Sequence, residues 1–312
     1  LILVAPRAIN GRSVLANSDP TRACQLCGGA LHSSAFHPRS SYAAVGAYRI
    51  DVCDRCGAGT TMPRPTPAEL DACYAASYGY GAHTLIEGEK RYRSAALVRR
   101  AGLDHGRVLD VGCMFGFLLD EARAVGLETW GVELSAEPAT AAAARGHRVT
   151  TGTLADHVAA HPEVRFDAIF AQHVVEHLPD PAEFFATAAS LLVPGGRLVV
   201  GVPNFAARLR RLASDSWGWY QVPVHLHHFT PAALRTLVEA AGLAVTEERT
   251  FGGDTLFLAL TALQSAGRRS QGSDGAGAGR ATRATLGALG RLLRPYYKLG
   301  DDELVIVARR AS

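Results

Sequence analysis

Lysine is nearly missing from this chain: its 312 residues hold two, Lys90 and Lys298, so arginine carries almost all of the positive charge. The arginines are scattered rather than striped, and 32 basic against 29 acidic residues leave a net charge of +3. Binders of nucleic acid or of membrane surfaces present a concentrated basic face, so neither partner is expected. Long apolar runs are missing as well. No segment reaches the roughly 18 to 20 continuous apolar residues of a membrane span, and the apolar start, residues 1–5, falls short of a secretory h-region of about 7 to 15. The expected location is the cytoplasm. A hydrophobic share of 48% is ample for one full-sized domain and a smaller companion.

Disulfides do not suit a reducing compartment, so the six cysteines call for another use. Cys24-x-x-Cys27 is followed, after 25 intervening residues, by Cys53-x-x-Cys56. Each knuckle brings two thiolates to one ion, and two knuckles complete the tetrahedral four-sulfur shell of zinc. Gly28, Gly29 and Gly57 supply the permissive backbone that knuckle turns need, and Tyr48-Arg-Ile-Asp-Val52 alternates like a strand. The spacing predicts a structural zinc ribbon over residues 21–64, held by Cys24, Cys27, Cys53 and Cys56 and preceded by a loosely ordered lead-in at 1–20. Four thiolates leave no open position for catalysis. A module of about 40 residues needs the metal in order to fold.

The chemistry is expected further on. In Arg107-Val-Leu-Asp-Val-Gly-Cys-Met-Phe-Gly-Phe-Leu-Leu119 a β-branched run turns at glycine and continues as an apolar helix. The dinucleotide pattern G-x-G-x-x-G is not spelled; the chain reads D-x-G-x-x-x-G over Asp110, Gly112 and Gly116. This resembles motif I of the class I S-adenosylmethionine-dependent methyltransferases, commonly D-x-G-x-G-x-G. Met114 stands at the middle glycine's place, so either the turn there needs no positive φ or a large flexible side chain narrows the pocket. Glu133 ends a strand 21 residues beyond Gly112, where an acid can accept both ribose hydroxyls. The resemblance implies that Asp110, Gly112, Cys113, Gly116 and Glu133 bind the cofactor, that Thr153 and Leu154 lie against its adenine, and that Gln172 and His173 pass its methionine end. Asp156 is either an adenine acid or a helix cap.

Gln172-His-Val-Val-Glu-His177-Leu-Pro-Asp resembles the segment that ends E-H-L-x-D-P in that family. His177 is a catalytic candidate, or else pairs with Glu176 or caps the next helix. That helix, 181–192, is expected to stop at Pro194-Gly-Gly196 and a strand to follow over 197–202. The long segment from Asn204 to Thr230 then gathers Trp217, Trp219, Tyr220, His225, His227 and His228. A loop of that size usually bears function; its rings can wall off a substrate and its histidines can move a proton. Pro223-Val-His-Leu-His-His-Phe-Thr230 resembles the P-x-H-L-x-x-F-[ST] segment of bacterial methyltransferases from surface-polysaccharide and natural-product pathways. The order C-x-x-C, C-x-x-C-G, P-R-P-T-P-x-E-L and Y-x-x-x-Y (Tyr74, Tyr78) is similar to the same group and to the zinc-binding portion of deoxysugar C-methyltransferases. The resemblance implies that His225 faces the pocket as a general base, with loop anchoring as its alternative. Tyr220 joins it as a catalytic candidate, and Tyr74, Tyr78 and Tyr80 either lie over the pocket or form an ordinary aromatic cluster.

The expected fold is α/β: a Rossmann-like class I methyltransferase sheet, mostly parallel with an antiparallel last strand, beside the small N-terminal ribbon. Residues 65–104 are read as a helical connector or lid and 105–312 as the methyltransferase domain, with a partly disordered insertion at about 254–300 whose centre has no period. The expected activity is methyl transfer from S-adenosylmethionine to a small-molecule acceptor, a sugar or natural-product hydroxyl or a sugar carbon. Such acceptors are not ionised at neutral pH and need a base. Two rivals stay open: methylation of RNA or protein, with the ribbon gripping the macromolecule, and a degenerate cofactor-binding protein blocked by Met114. A homo-oligomer also stays open.

Overall fold

The computed structural model describes residues 23–34, 36–38, 48–77, 87–252 and 300–312. The expectations for the lead-in, for Tyr78 and Tyr80, for the side chain of Tyr74 and for most of the insertion lie outside the described residues. Two sheets form. The smaller has the order β1 (Leu31–His32), β2 (Arg49–Cys53), β3 (Gly59–Met62), β9 (His227–His228), all antiparallel, so its outer strand comes from far along the chain. Helix α1 (Pro67–Ser77) follows β3 and starts where Thr66-Pro-Ala-Glu69 says it should: the Glu69 carboxylate accepts from Thr66 N–H at 2.7 Å and the Thr66 hydroxyl accepts from Glu69 N–H at 3.3 Å.

Helix α2 (Glu87–Ala101) leads into the larger sheet at β4 (Arg107–Val111), followed by α3 (Phe117–Ala124), β5 (Glu128–Glu133), α4 (Ala136–Ala144), β6 (Arg148–Thr151), α5 (Leu154–Ala160), β7 (Phe166–Gln172), α6 (Pro181–Leu191) and β8 (Leu192–Pro203). After the short α7 (Arg208–Ala213) and β9 come α8 (Pro231–Ala240), β10 (Leu243–Phe251) and β11 (Glu303–Arg310). The seven strands lie in the order β10-β11-β8-β7-β4-β5-β6, and only β11 runs against its neighbours. The mostly parallel sheet with its antiparallel strand is therefore present as expected.

The central strands β4, β7, β8 and β11 are buried on both faces, and strand periodicity sorts their side chains between two apolar layers. Val108, Ala168, Phe170, Val199, Val305 and Val307 pack with Leu97 and Val98 of α2 and Leu118 of α3. Their neighbours Leu109, Ile169, Leu198, Val200, Leu304 and Ile306 pack on the other side with Phe184 and Phe185 of α6 and Leu234 and Leu237 of α8. Strand order reverses between β4 and β7, which leaves a crevice at the carboxyl ends of those strands.

Pro194-Gly-Gly196 does not stop a helix. Helix α6 ends at Leu191 and β8 runs straight through these residues, with a register shift opposite Phe166 and Ala168. A Cβ on Gly196 would sit 2.9 Å from Val193 O and 3.1 Å from Phe166 O, so the glycine permits a bulged, close approach to β7. Among the described residues no helix is long and apolar enough to cross a membrane.

Candidate active site and four-cysteine site

The turn after β4 is shaped by torsions that side chains resist. Gly112 has φ 77°, its N–H donates to Val132 O at 2.8 Å, and a Cβ there would strike Val174 Cγ2 at 2.6 Å. The turn thus lies against the segment that follows β7. Gly116, also left-handed, is the N-cap of α3. Met114 takes φ 46°, so the turn does need a positive φ there, and the first of the two alternatives for this residue is overturned. The left-handed conformation costs a non-glycine residue about 1 kcal/mol; Met114 N–H donating to Glu133 Oε2 at 3.0 Å helps to hold it.

Glu133 is buried at the end of β5, with its other oxygen accepting from Ser135 N–H at 2.8 Å. Asp110 is buried beside it, and burial, followed by the charge of Glu133, pushes its carboxyl well above the usual range. Neither acid enters an ion pair among the described residues. Two buried acids without a cation, on either side of a glycine turn, fit a ligand that brings positive charge and hydroxyls. S-adenosylmethionine carries both. A cation favours ionised Asp110, so binding should release a proton and the affinity for S-adenosylmethionine should rise with pH from the acidic into the neutral range. Calorimetry in two buffers of different ionisation enthalpy reads that proton directly, and Asp110→Asn should flatten the dependence.

Other expected cofactor residues are placed less directly. The Cys113 side chain packs with Leu119 and Ala142, burial pushes its thiol up, and only its backbone belongs to the turn. Thr153 is the N-cap of α5 and Asp156 completes a capping box with it, which gives Asp156 the helix-cap role. Leu154 packs on the core. Gly152 N–H donates to Glu133 O at 2.9 Å, which keeps the backbone of this segment next to the acid.

At the end of β7, Gln172 and Arg93 both bond the carboxylate of Glu303, which lies 131 residues beyond Gln172. No motif marks Glu303 or Arg93, and sequence reasoning missed both. His173, with φ 54°, stacks on Trp219 at 4.7 Å and 9° and places Nδ1 3.3 Å from Glu176 Oε1. Beyond it, the rings of His177 and His225 meet edge to face at 4.6 Å. His177 Nδ1 donates to Val224 O at 3.0 Å and His225 Nδ1 donates to Trp219 O at 2.9 Å. A carbonyl can only accept, so each Nδ1 carries the proton and each neutral ring keeps an Nε2 lone pair. Burial, aided by His177 and His228, holds His225 well below the usual histidine range. Glu176 Oε2 is buried without a hydrogen-bond partner, and Glu176, His177 and His225 each offer a donor atom within 4.8 Å of the others.

One expectation is corrected here. His177 does not cap α6; Asp180 does, accepting from Glu183 N–H at 3.1 Å. The ring of Tyr220 is placed in an aromatic cluster rather than on the His177–His225 pair. Tyr220 is 1% exposed, packed between Phe36 at 5.2 Å, Trp217 at 5.1 Å and Phe205 at 6.5 Å, because its ring belongs to the aromatic core joining β2 to this loop.

The four predicted cysteines converge. Cys24 Sγ lies 3.8 Å from Cys56 Sγ and Cys27 Sγ lies 3.4 Å from Cys53 Sγ, with all four sulfurs within 4.8 Å of one another. Those spacings are too long for disulfides. They match the edge of a tetrahedron with zinc at its centre, about 3.8 Å for a zinc–sulfur bond of about 2.3 Å.

Against known proteins, the methyltransferase domain family matches residues 86–248, from the start of α2 into β10 and more than half of the chain. The chain belongs to that family. This methyltransferase is 30% identical over 163 residues to the ubiquinone biosynthesis O-methyltransferase of Aeromonas salmonicida, covering 48% of this chain and 67% of that protein. With the protein of the same description from Xanthomonas axonopodis pv. citri it shares 31% over 178 residues, 53% of this chain and 72% of that one. Among solved structures it is similar in fold to a chain of the complex between the Haloferax volcanii Trm112 methyltransferase activator and a methyltransferase, with a TM-score of 0.52 and 18% identity over 78% of this chain and 98% of that one. Family and sheet together make it an S-adenosylmethionine-dependent methyltransferase of class I.

Proposed function

We propose that this enzyme methylates a hydroxyl of a small molecule, a sugar or a natural-product intermediate, with His225 as the general base. The observation that carries the reading is the His177–His225 pair, whose Nδ1 protons are committed to backbone carbonyls beside the segment that packs on the glycine turn. S-adenosylmethionine supplies an electrophilic methyl on a sulfonium, whose departure leaves a neutral thioether and needs no acid. The backbone of Gly112 to Gly116, the carboxylates of Asp110 and Glu133, and the main chain at Thr153, Leu154, Gln172 and His173 are the groups that would hold it. His225 takes the hydroxyl proton at Nε2 as the oxygen attacks, and the stacked rings of His173 and Trp219 offer a flat wall for the acceptor. Much of the acceleration comes from holding the two reactants at attack distance.

The names of the O-methyltransferase relatives support a hydroxyl over a carbon acceptor. A macromolecular acceptor is disfavoured by the arginines near the cysteines: Arg49 pairs with Asp51, Arg55 donates to Cys27 O, and Arg64 donates to Leu226 O. Each of them is engaged at least in part within the protein. We assign the four cysteines to one structural zinc. A second reading of the active site is favoured by the unpartnered Glu176 Oε2: a divalent cation on Glu176, His177 and His225 would polarise the acceptor hydroxyl in place of the base. Incubation with S-adenosylmethionine and a panel of phenolic and sugar acceptors should yield S-adenosylhomocysteine from at least one of them. Brief treatment with EDTA should leave that turnover intact; loss restored by magnesium or manganese would install the cation reading. No calorimetric binding of either cofactor form would sink both.

A further inference from the structure

The loop that carries His225 is gripped from two sides. On one, Leu226 N–H donates to Glu176 O at 2.8 Å and His177 reaches Val224 O. On the other, the grip comes from the four-cysteine sheet. Thr61 N–H donates to Leu226 O at 3.1 Å, the Thr61 hydroxyl lies 2.6 Å from His225 O, and the Thr230 hydroxyl donates to the carbonyl of the cysteine ligand candidate Cys56 at 2.6 Å. Between them β3 pairs with β9 at Gly59 with His228 and Thr60 with His227.

Thr61 is fully buried, and its hydroxyl also lies 3.0 Å from His228 Nε2. Proton bookkeeping leaves one arrangement. The His225 carbonyl can only accept, so the hydroxyl proton goes to it; Oγ1 must then accept from His228, whose Nε2 carries the hydrogen. Burial pushes His228 down to about 3, which keeps that ring neutral. Hydrogen bonds therefore run in one direction from His228 through Thr61 to the peptide of His225, while Trp219 O orients the imidazole of the same residue.

We propose that Thr61, a residue of the four-cysteine sheet, is a positioning residue for the base: it fixes the His225 peptide and the His228 tautomer and so makes the metal-binding module part of the catalytic apparatus. The inference rests on His225 being the base. In the full chain, Thr61→Val keeps the side-chain shape and removes the hydroxyl, and Thr61→Ser restores it. Thr61→Val should keep its bound metal and bind S-adenosylhomocysteine within about twofold of wild type, while turnover falls about tenfold to a hundredfold. Nitrogen-15 histidine spectra should show His228 leaving the Nε2–H form, and amide exchange over 225–227 should quicken. Thr61→Ser should return all three readouts toward wild type. An unchanged His228 tautomer with unchanged exchange overturns the proposal, as does a serine variant no better than valine. Should Thr61→Val lose its fold, Thr61→Ala read against Thr61→Ser decides. The spectra and exchange rates do not depend on turnover, so a fully active His225→Ala enzyme would remove the base reading without touching them.

Discussion

His225→Ala is expected to lower kcat about 100-fold to 10,000-fold and to leave the dissociation constant of S-adenosylmethionine within about twofold. The two effects separate because the residues differ in location. The charged cofactor-binding candidates, Asp110 and Glu133, sit at the ends of β4 and β5, and those after β6 and β7 act through their main chain, whereas His225 belongs to the loop between β8 and α8 and meets the site through His177 and Trp219. Its depressed pKa adds a signature. Burial keeps the imidazole neutral, so the base stays competent as pH falls, and the acid limb of the wild-type profile should lie below the pH at which an ordinary histidine protonates. His177→Ala should weaken catalysis less, because it removes a neighbour and not the acceptor of the proton. Simultaneous loss of turnover and of cofactor binding in His225→Ala would assign the residue to folding, and melting curves on the same preparations would show it.

Cys24→Ser, or withdrawal of the metal with a thiol-reactive mercurial, should have the largest effect on stability. Structural zinc sites in small domains contribute apparent energies of about 10 to 16 kcal/mol. The strands of the β1–β3 region are short, two, five and four residues, so the metal adds to a stability otherwise drawn from packing on the loop and core beside it. The wild-type protein should hold one zinc per chain, measured by elemental analysis. The variant should lose it, melt at least about 10 °C lower and lose turnover as β9 is released, while S-adenosylhomocysteine still binds the larger sheet. A metal-free preparation that melts as the wild type does would remove the assignment.

Local signals were the legible ones. Strand, turn and helix around Asp110 to Gly116, the cap at Thr66 and the paired cysteines each depend on a few adjacent residues, and each formed where the pattern placed it. What stayed hidden needs partners far apart in the chain. Arg93 and Glu303 are 210 residues apart, and neither has a neighbour that marks it. Tyr220 carried the right chemistry for a catalytic role, but the direction of its ring is set by Phe36, Phe205 and Trp217. Pro194-Gly-Gly196 spells a helix stop in any local reading, and only the proximity of Phe166 turns it into a bulge. Met114 shows the converse: the position demands a left-handed backbone, and a residue poorly suited to it complies because Glu133 accepts its amide hydrogen.

The two-residue strand β9 bears on how such a chain can be recombined. Because it closes the open edge of β3, and because Ile50 and Tyr48 share one apolar cluster with Trp217, Trp219 and Tyr220, a cut after residue 64 would strip a row of unpaired backbone groups and bare a patch of indole and phenol rings. A shortened chain of this kind should precipitate even with an intact larger sheet. A chimaera that swaps the cysteine segment between relatives should stay soluble only when the stretch from Phe205 to Thr230 travels with it.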